Sequence, residues 1–423
     1  MKRILLTGGM TALLLVLSCL VSVPSRGQQP NYDESKVPSY TLPDPLVREN
    51  GKAVRSRRAW ERKRRPELLS LFSDQMFGVV PPAPEGLHFK VVKVVSDAFG
   101  GLATMKEVEV CFDADETQSL LLLLFVPNAA SGPVPAFLGI NFRGNHATTD
   151  EPSVSLPSEE RMRRYGPDYQ CDPRGVQQRR WPYRDILSRG YAVATFYTGD
   201  VDPDYHDGFH NGVHGLLDGD KPRTGSSWAT ISAWAWGLSR ALDYLETDPD
   251  VDGAKVAVIG HSRLGKTALW AGATDPRFAL VVSNNSGCGG AALSKRCFGE
   301  TVGRINQVFP HWFCDNFKQY GGKEDTLPFD QHELLALIAP RPLYVASASE
   351  DLWADPHGEY LSLIHAAPVY RLYGEDAVTT PEMPAPGEGR MAGKTAYHLR
   401  PGPHDINIYD WSRYMDFADR FLK

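Results

Sequence analysis

The stretch KVAVIGHSRLGKTALW, residues 255–270, decides how this chain is read. Its first part, Lys255 to Gly260, is short, apolar and β-branched, the composition of a buried strand, and from Gly265 to Ala273 the residues are those of an apolar helix. Between them lies GHSRLGK, residues 260–266, a tight turn that needs small residues near its serine. Such a turn lifts the Ser262 hydroxyl clear of the sheet and aims the free N–H groups of a helix start at an oxyanion. The pattern departs from GxSxG in one place, because Leu264 occupies the position of the second glycine and Gly265 follows it. An ordinary strand-to-helix turn with a capping serine is the alternative reading.

Outward from this turn, strands alternate with helices, the signature of a parallel sheet covered on both faces. Residues 191–197 read as a strand, 228–247 as a long helix, 278–283 and 342–346 as strands, and 411–422 as a closing helix. Upstream, the runs 88–95, 106–112, 119–126 and 134–142 have the spacing of an antiparallel edge entering that sheet. Residues 28–84 read as an N-terminal extension packing on the domain, and residues 85–423 as the domain itself. Two polar, Pro/Gly-rich insertions, 148–178 and 375–394, are long enough to form rim loops around a site.

Composition bounds the function. The chain has 423 residues and a formal charge of −6, and no basic stripe with interleaved aromatics follows residue 66, so nucleic acid is excluded as a partner. The basic stretch Arg55 to Arg65 spreads its charges round a helix and reads as a solvated surface element. Lys2 and Arg3 precede an apolar run from Ile4 to Val23, followed by Ser25-Arg26-Gly27, which reads as a signal peptide over residues 1–27 that leaves no membrane span once removed. The mature chain is then periplasmic or secreted, with lipid attachment at Cys19 as the lesser reading. Six cysteines lack CxxC spacing, which argues against a structural zinc site. Export permits one or two bridges among Cys111, Cys171, Cys288, Cys297 and Cys314, an odd number that leaves a thiol over.

A serine at its ordinary pKa is a poor nucleophile and needs a base within reach. Enzymes of the α/β-hydrolase fold supply it late in the chain, in the order Ser, acid, His. His404 in the turn-rich PGPHD, residues 401–405, stands just ahead of the closing helix, with His398 as its neighbouring competitor. The acid belongs after the penultimate strand, where Asp351 takes the usual loop position, Glu350 is the alternative and Asp355 lies further off.

GHSRLGK, NNSGCGG (284–290), SEDLWADPHGEY (349–360) and PGPHD together resemble the bacterial branch of the glucuronoyl esterases, carbohydrate esterase family fifteen, over residues 85–423. The resemblance implies an α/β-hydrolase three-layer sandwich with a mostly parallel central sheet and an antiparallel N-terminal edge. It implies hydrolysis of the ester between lignin alcohols and 4-O-methyl-glucuronic acid branches of xylan, with no metal and no organic cofactor. Ser262 becomes nucleophile and His404 base. Arg263 becomes the oxyanion donor, a fixed cation that contributes on the order of 3 kcal/mol to such a transition state. Lys266, Trp353 and Glu300 become the sugar-binding residues, although outside the family a lysine on a first helical turn faces solvent and a tryptophan is usually core.

One departure bears on mechanism. Fungal relatives place a catalytic glutamate where this chain has Asn285, and an amide cannot stabilise an imidazolium; a comparable Asp-to-Asn change costs about 10⁴ in rate. The acid therefore falls to Asp351 or Glu350. Two further readings remain open: another carbohydrate esterase, of acetyl-xylan or feruloyl type, and a non-catalytic carbohydrate-binding protein of the same fold. The chain is expected to act as a monomer on its polysaccharide substrate.

Overall fold

Ten strands form one sheet: β1 His88–Asp97, β2 Ala103–Cys111, β3 Ser119–Pro127, β4 Val134–Asn141, β5 Ala192–Tyr197, β6 Val251–His261, β7 Leu280–Asn284, β8 Leu343–Ala348, β9 Gly389–Ala392 and β10 Thr395–Arg400. Their spatial order is β1-β2-β3-β5-β4-β6-β7-β8-β10-β9. The structure, a computed structural model, describes residues 29–219 and 221–423. The expected signal peptide and Cys19 lie outside the described residues.

From β5 to β10 the neighbours pair in parallel, whereas β1, β2 and β3 form an antiparallel edge and β9 an antiparallel hairpin with β10. This is the expected three-layer α/β-hydrolase architecture. Alternation along each strand feeds two cores: Val256 and Val258 of β6 point into one cluster, Ala257 and Ile259 into the other. Both faces are covered by the four longest helices described, α1 Thr230–Leu245, α2 Arg263–Thr274, α3 Pro356–Leu372 and α4 Ile408–Leu422. Trp234 and Trp270 fill the first core and Trp411 the second.

The N-terminal segment differs from a solvated surface helix. A helical run from Arg57 to Phe77 alternates α turns with the wider π turns Trp60–Arg64 and Ser73–Phe77. It buries Trp60, Leu68, Phe72, Met76 and Phe77 in the same core as the strands, and Phe77 stacks on Trp270 of α2 with ring centroids 4.3 Å apart. Each such large apolar side chain contributes roughly 1.5–3 kcal/mol by leaving water. The basic residues on the inner side find partners: Arg64 Nη2 donates to Glu333 at 2.7 Å, and Arg65 donates to the Ala273 carbonyl at 2.8 Å. Arg55, Arg57, Arg58, Arg62 and Lys63 are exposed, as a solvated helix face requires, and only Arg64 and Arg65 are spent on tying the segment down.

The second insertion is also more ordered than a rim loop, since it supplies the edge strand β9. Cys111, Cys171, Cys288, Cys297 and Cys314 are all free thiols.

Candidate active site

Every parallel strand from β5 to β10 ends on the same side of the sheet, the side where open α/β sheets place their ligands. The residues that follow β4, β5, β6 and β10 line a cavity of about 710 Å³: Phe142 and Arg143, Thr198 and Asp204, Ser262 and Arg263, and His404. The first insertion closes another wall with Asp168, Tyr169, Gln170, Asp172 and Gln177.

Ser262 sits between β6 and α2 at φ 60°, ψ −129°, a backbone region that costs an L-residue on the order of 1–3 kcal/mol. The turn survives because its neighbours are glycines. A Cβ on Gly260 would lie 1.8 Å from the Leu264 carbonyl oxygen, and one on Gly265 would lie 3.0 Å from the Ser286 Cβ. Gly265 thus does the spatial work that the shifted spacing left in question: it lets the first turn of α2 approach the loop after β7.

His404 faces the same cavity, and its Nδ1 lies 2.5 Å from Asp351 Oδ2. Asp351 is buried, and the same oxygen accepts a hydrogen bond from Asn285 Nδ2 at 3.1 Å. Asn285 therefore stands beside the carboxylate and donates to it. Asn285 has φ 47°, a left-handed conformation that asparagine tolerates better than most residues. Glu350 is exposed and meets the His404 loop through its backbone, whose N–H donates to the Gly402 carbonyl at 3.0 Å. Asp355 is committed to Arg296 at 2.8 Å, and His398 is fully buried between Asp410 and Tyr344. The loop bearing His404 is braced by Arg400, which donates to the carbonyls of Pro401, Pro403 and Asp405, and by Arg180, whose Nε donates to the Asp405 carboxylate at 2.8 Å.

A second imidazole, His261, lies with its ring centroid 4.6 Å from that of His404. Burial, followed by the charge of His404, pushes the His261 pKa well below its usual value, and Asn284 Oδ1 engages its Nδ1 at 2.6 Å. Burial thus disfavours the charged form of His261.

Arg263 projects into the cavity with its guanidinium 4.8 Å over the Trp312 ring, and it donates to Asp204. The same Trp312 ring lies 5.9 Å from Lys266 Nζ. Lys266 is 4% exposed and donates to the Ser286 carbonyl; burial lowers its pKa and Glu300 opposes that. Glu300, 9% exposed, is raised by burial against the pull of Lys266, and its backbone N–H donates to the Trp353 carbonyl at 3.0 Å. Trp353 is 37% exposed. Lys266, Glu300 and Trp353 thus lie near one another, and Lys266 shares the Trp312 ring with Arg263, although none of the three lines the cavity itself.

The geometry supports acyl transfer: a serine hydroxyl on a strained elbow, an imidazole held by a buried carboxylate, and a fixed cation beside them. Among the described residues, His88, Cys111 and Glu116 bring possible metal-ligand atoms within 4.8 Å of one another, but Glu116 is paired with Lys90 and none of the three lines the cavity.

Comparison with known proteins agrees with this architecture. A family described as "Glucuronyl esterase, fungi" matches residues 192–374. Carbohydrate esterase MZ0003, from an unknown prokaryotic organism, is 48% identical over 93% of this chain and 92% of its own length. 4-O-methyl-glucuronoyl methylesterase 1 of Wolfiporia cocos is 31% identical over 86% of this chain and 80% of its own. The solved glucuronoyl esterase from Solibacter usitatus superposes with a TM-score of 0.86 at 42% identity, covering 92% of this chain and all of that one. The chain belongs to the glucuronoyl esterases of carbohydrate esterase family 15.

Within this esterase family, several cavity residues carry no signal that reading the chain alone could catch. Asp204 on the cavity wall and its partners His311 and Trp312 come from two loops remote in sequence, Tyr169 comes from the first insertion and Arg180 from just beyond it, none with a motif. The nearest hint is DPDYHDGFH, residues 202–210, a loop with more acids and histidines than a plain connection needs.

Proposed function

We propose that this chain is an exported serine esterase that hydrolyses the ester between lignin-type alcohols and the (4-O-methyl-)glucuronic acid branches of xylan. The observation that carries the reading is the line Ser262, His404, Asp351: an elbow serine and an imidazole on one cavity, the imidazole bonded at 2.5 Å to a buried carboxylate. It is supported by full-length similarity to proteins named as glucuronoyl esterases and methylesterases.

In this reading Ser262 Oγ attacks the ester carbonyl while His404 Nε2 takes its proton, and Asp351 holds the imidazolium through Nδ1. The Arg263 amide at the start of α2 and the Arg263 guanidinium receive the oxyanion. The alcohol leaves with the proton from His404. Water, deprotonated by the same imidazole, then opens the acyl-serine and releases the uronate. Lys266, Glu300 and Trp353 bind the sugar, a role supported by a buried ammonium and a buried carboxylate that feel each other's charge next to an exposed indole.

Export is supported by Lys2, Arg3 and the apolar run that follows them; among the described residues no helix is long and apolar enough to cross a membrane.

A substrate panel tests the reading. Benzyl glucuronate is expected to be hydrolysed and acetylated xylan left intact, with turnover and fluorophosphonate labelling both lost in Ser262→Ala. Deacetylation of xylan without cleavage of the glucuronate ester would overturn the substrate, and sugar binding without labelling of Ser262 would overturn the enzyme.

A further inference from the structure

Among the cavity's side chains, Arg263 depends most on direction. A guanidinium carries five N–H donors at the end of a flexible stem, and it stabilises a developing oxyanion only if one of those donors already points at it before the charge appears. A free arginine at a cavity edge would spend its donors on water. The structure therefore has to contain something that holds it.

Asp204 does so from the loop after β5. Its Oδ2 accepts from Arg263 Nη1, and its Oδ1 accepts from Trp312 Nε1 at 2.7 Å and from His311 Nε2 at 3.1 Å. Trp312 closes the arrangement on itself, because the ring whose N–H anchors Asp204 is also the ring beneath the guanidinium, 4.8 Å away. That ring is in turn stacked on Phe309 at 3.7 Å. Carboxylate, indole and guanidinium each fix the other two. Arg263 Nε is buried without a protein acceptor, so the clamp does not exhaust the guanidinium's donors. Asp204 remains a carboxylate: burial would raise its pKa, but His311, Arg263 and Trp312 outweigh burial and hold it below the usual value.

We propose that Asp204 is a positioning residue of the esterase reaction, one that orients the Arg263 guanidinium toward the oxyanion and keeps it there through the Asp204–Trp312 clamp. The proposal rests on the reading of Arg263 as an oxyanion donor. A merely structural salt bridge would join the loops after β5 and β6 and leave catalysis untouched. A positioning role acts on the transition state alone, so it lowers kcat and leaves KM in place.

The test is a double-mutant cycle in the full chain, with benzyl glucuronate and 4-nitrophenyl acetate as substrates. Arg263→Ala is expected to lower kcat roughly 10²- to 10³-fold, the cost of one oxyanion donor, and Asp204→Asn about 10- to 10²-fold with KM nearly unchanged. The amide keeps the volume but turns an N–H toward the guanidinium. Asp204→Asn combined with Arg263→Ala is expected to be no slower than Arg263→Ala alone, because nothing is left to position.

Trp312→Phe, which keeps a ring under Arg263 and removes the donor to Asp204, carries the same cycle if Asp204→Asn fails to fold. The proposal is overturned if the folded single variants keep kcat within about twofold, if the loss falls on KM, or if the losses multiply in the double variant. The acetate ester separates this from the substrate reading, since its oxyanion forms at the same place. A wild-type enzyme that cleaves the acetate and ignores the glucuronate defeats the substrate and leaves the Asp204 cycle fully readable.

Discussion

At the residue scale, the site combines one strained residue with several that remove ambiguity around it. Ser262 is held at positive φ by a turn that excludes a Cβ at Gly260, so the hydroxyl cannot relax into a helical cap. Asp351 and Asn285 share one oxygen's worth of work: both His404 Nδ1 and Asn285 Nδ2 donate to Asp351 Oδ2. In the proposed reading the carboxylate carries the charge that an imidazolium needs, and the amide only steadies it. Asp351→Ala is accordingly expected to lower kcat by about 10⁴, whereas Asn285→Ala costs about tenfold or less, measured as kcat on benzyl glucuronate. Equal, mild losses from the two substitutions would remove Asp351 from the acid's role.

At the element scale, the strand ends bring the chemistry together and short helices lock the outer layer. The loops after β8 and β10 are zipped to one another, Glu350 N–H to Gly402 O and Ser349 N–H to Arg400 O, which is why Asp351 meets His404 across 53 residues of chain. The short helix Gln331–Ala336 does comparable work for the N-terminal segment. Glu333 takes Arg64, and His332 Nε2 lies 2.8 Å from the Pro43 carbonyl.

Burial pushes the His332 pKa down to about 3 from an ordinary value of 6.5, so the fold accepts only the neutral ring. Below about 6.5 the unfolded chain binds a proton that the folded one refuses, and stability falls as pH drops through the window from 6.5 toward 3. Lowering the pH from about 7 to 4.5 is expected to reduce the wild-type Tm by more than it reduces that of His332→Gln. Parallel melting curves at the two pH values would show that this ring does not titrate on unfolding.

At the scale of the whole molecule, residues 29–84 share the core they cover. Trp60, Phe72 and Phe77 pack with the strands and with Trp270, so a chain beginning at residue 85 would expose a large apolar face. That truncation is expected to give insoluble or dye-binding protein, checked by soluble yield and ANS fluorescence. A cooperative melt at the full-length Tm would refute it.

The part of this architecture that was legible beforehand is the part written in neighbouring residues. Apolar periodicity marks the strands from β1 to β8, and the elbow at 260–266 announces itself because strand, small-residue turn and helix are contiguous. The order of serine, acid and histidine was expected from the α/β-hydrolase pattern rather than from local periodicity. What periodicity could not resolve was which of several like residues is taken. Asp351 and Glu350 are adjacent and chemically similar; only the fold buries one against His404 and leaves the other in water. His398 and His404 are separated in the same way, one swallowed by the core and one left at the cavity.

Most of the basic run at 55–65 is solvated, but Arg64 and Arg65 turn inward because their partners, Glu333 and the Ala273 carbonyl, come from more than two hundred residues away. Asp204 reaches Arg263 across 59 residues with no motif to announce it. By itself, then, the sequence determined the strands from β1 to β8 and the serine elbow, but not β9 and β10, since apolar periodicity and contiguity within one segment specify the former. The tertiary structure decided which carboxylate meets the imidazole, which loop clamps the arginine and how deeply the N-terminal segment is buried, because desolvation and pairing are set by neighbours that only folding brings close.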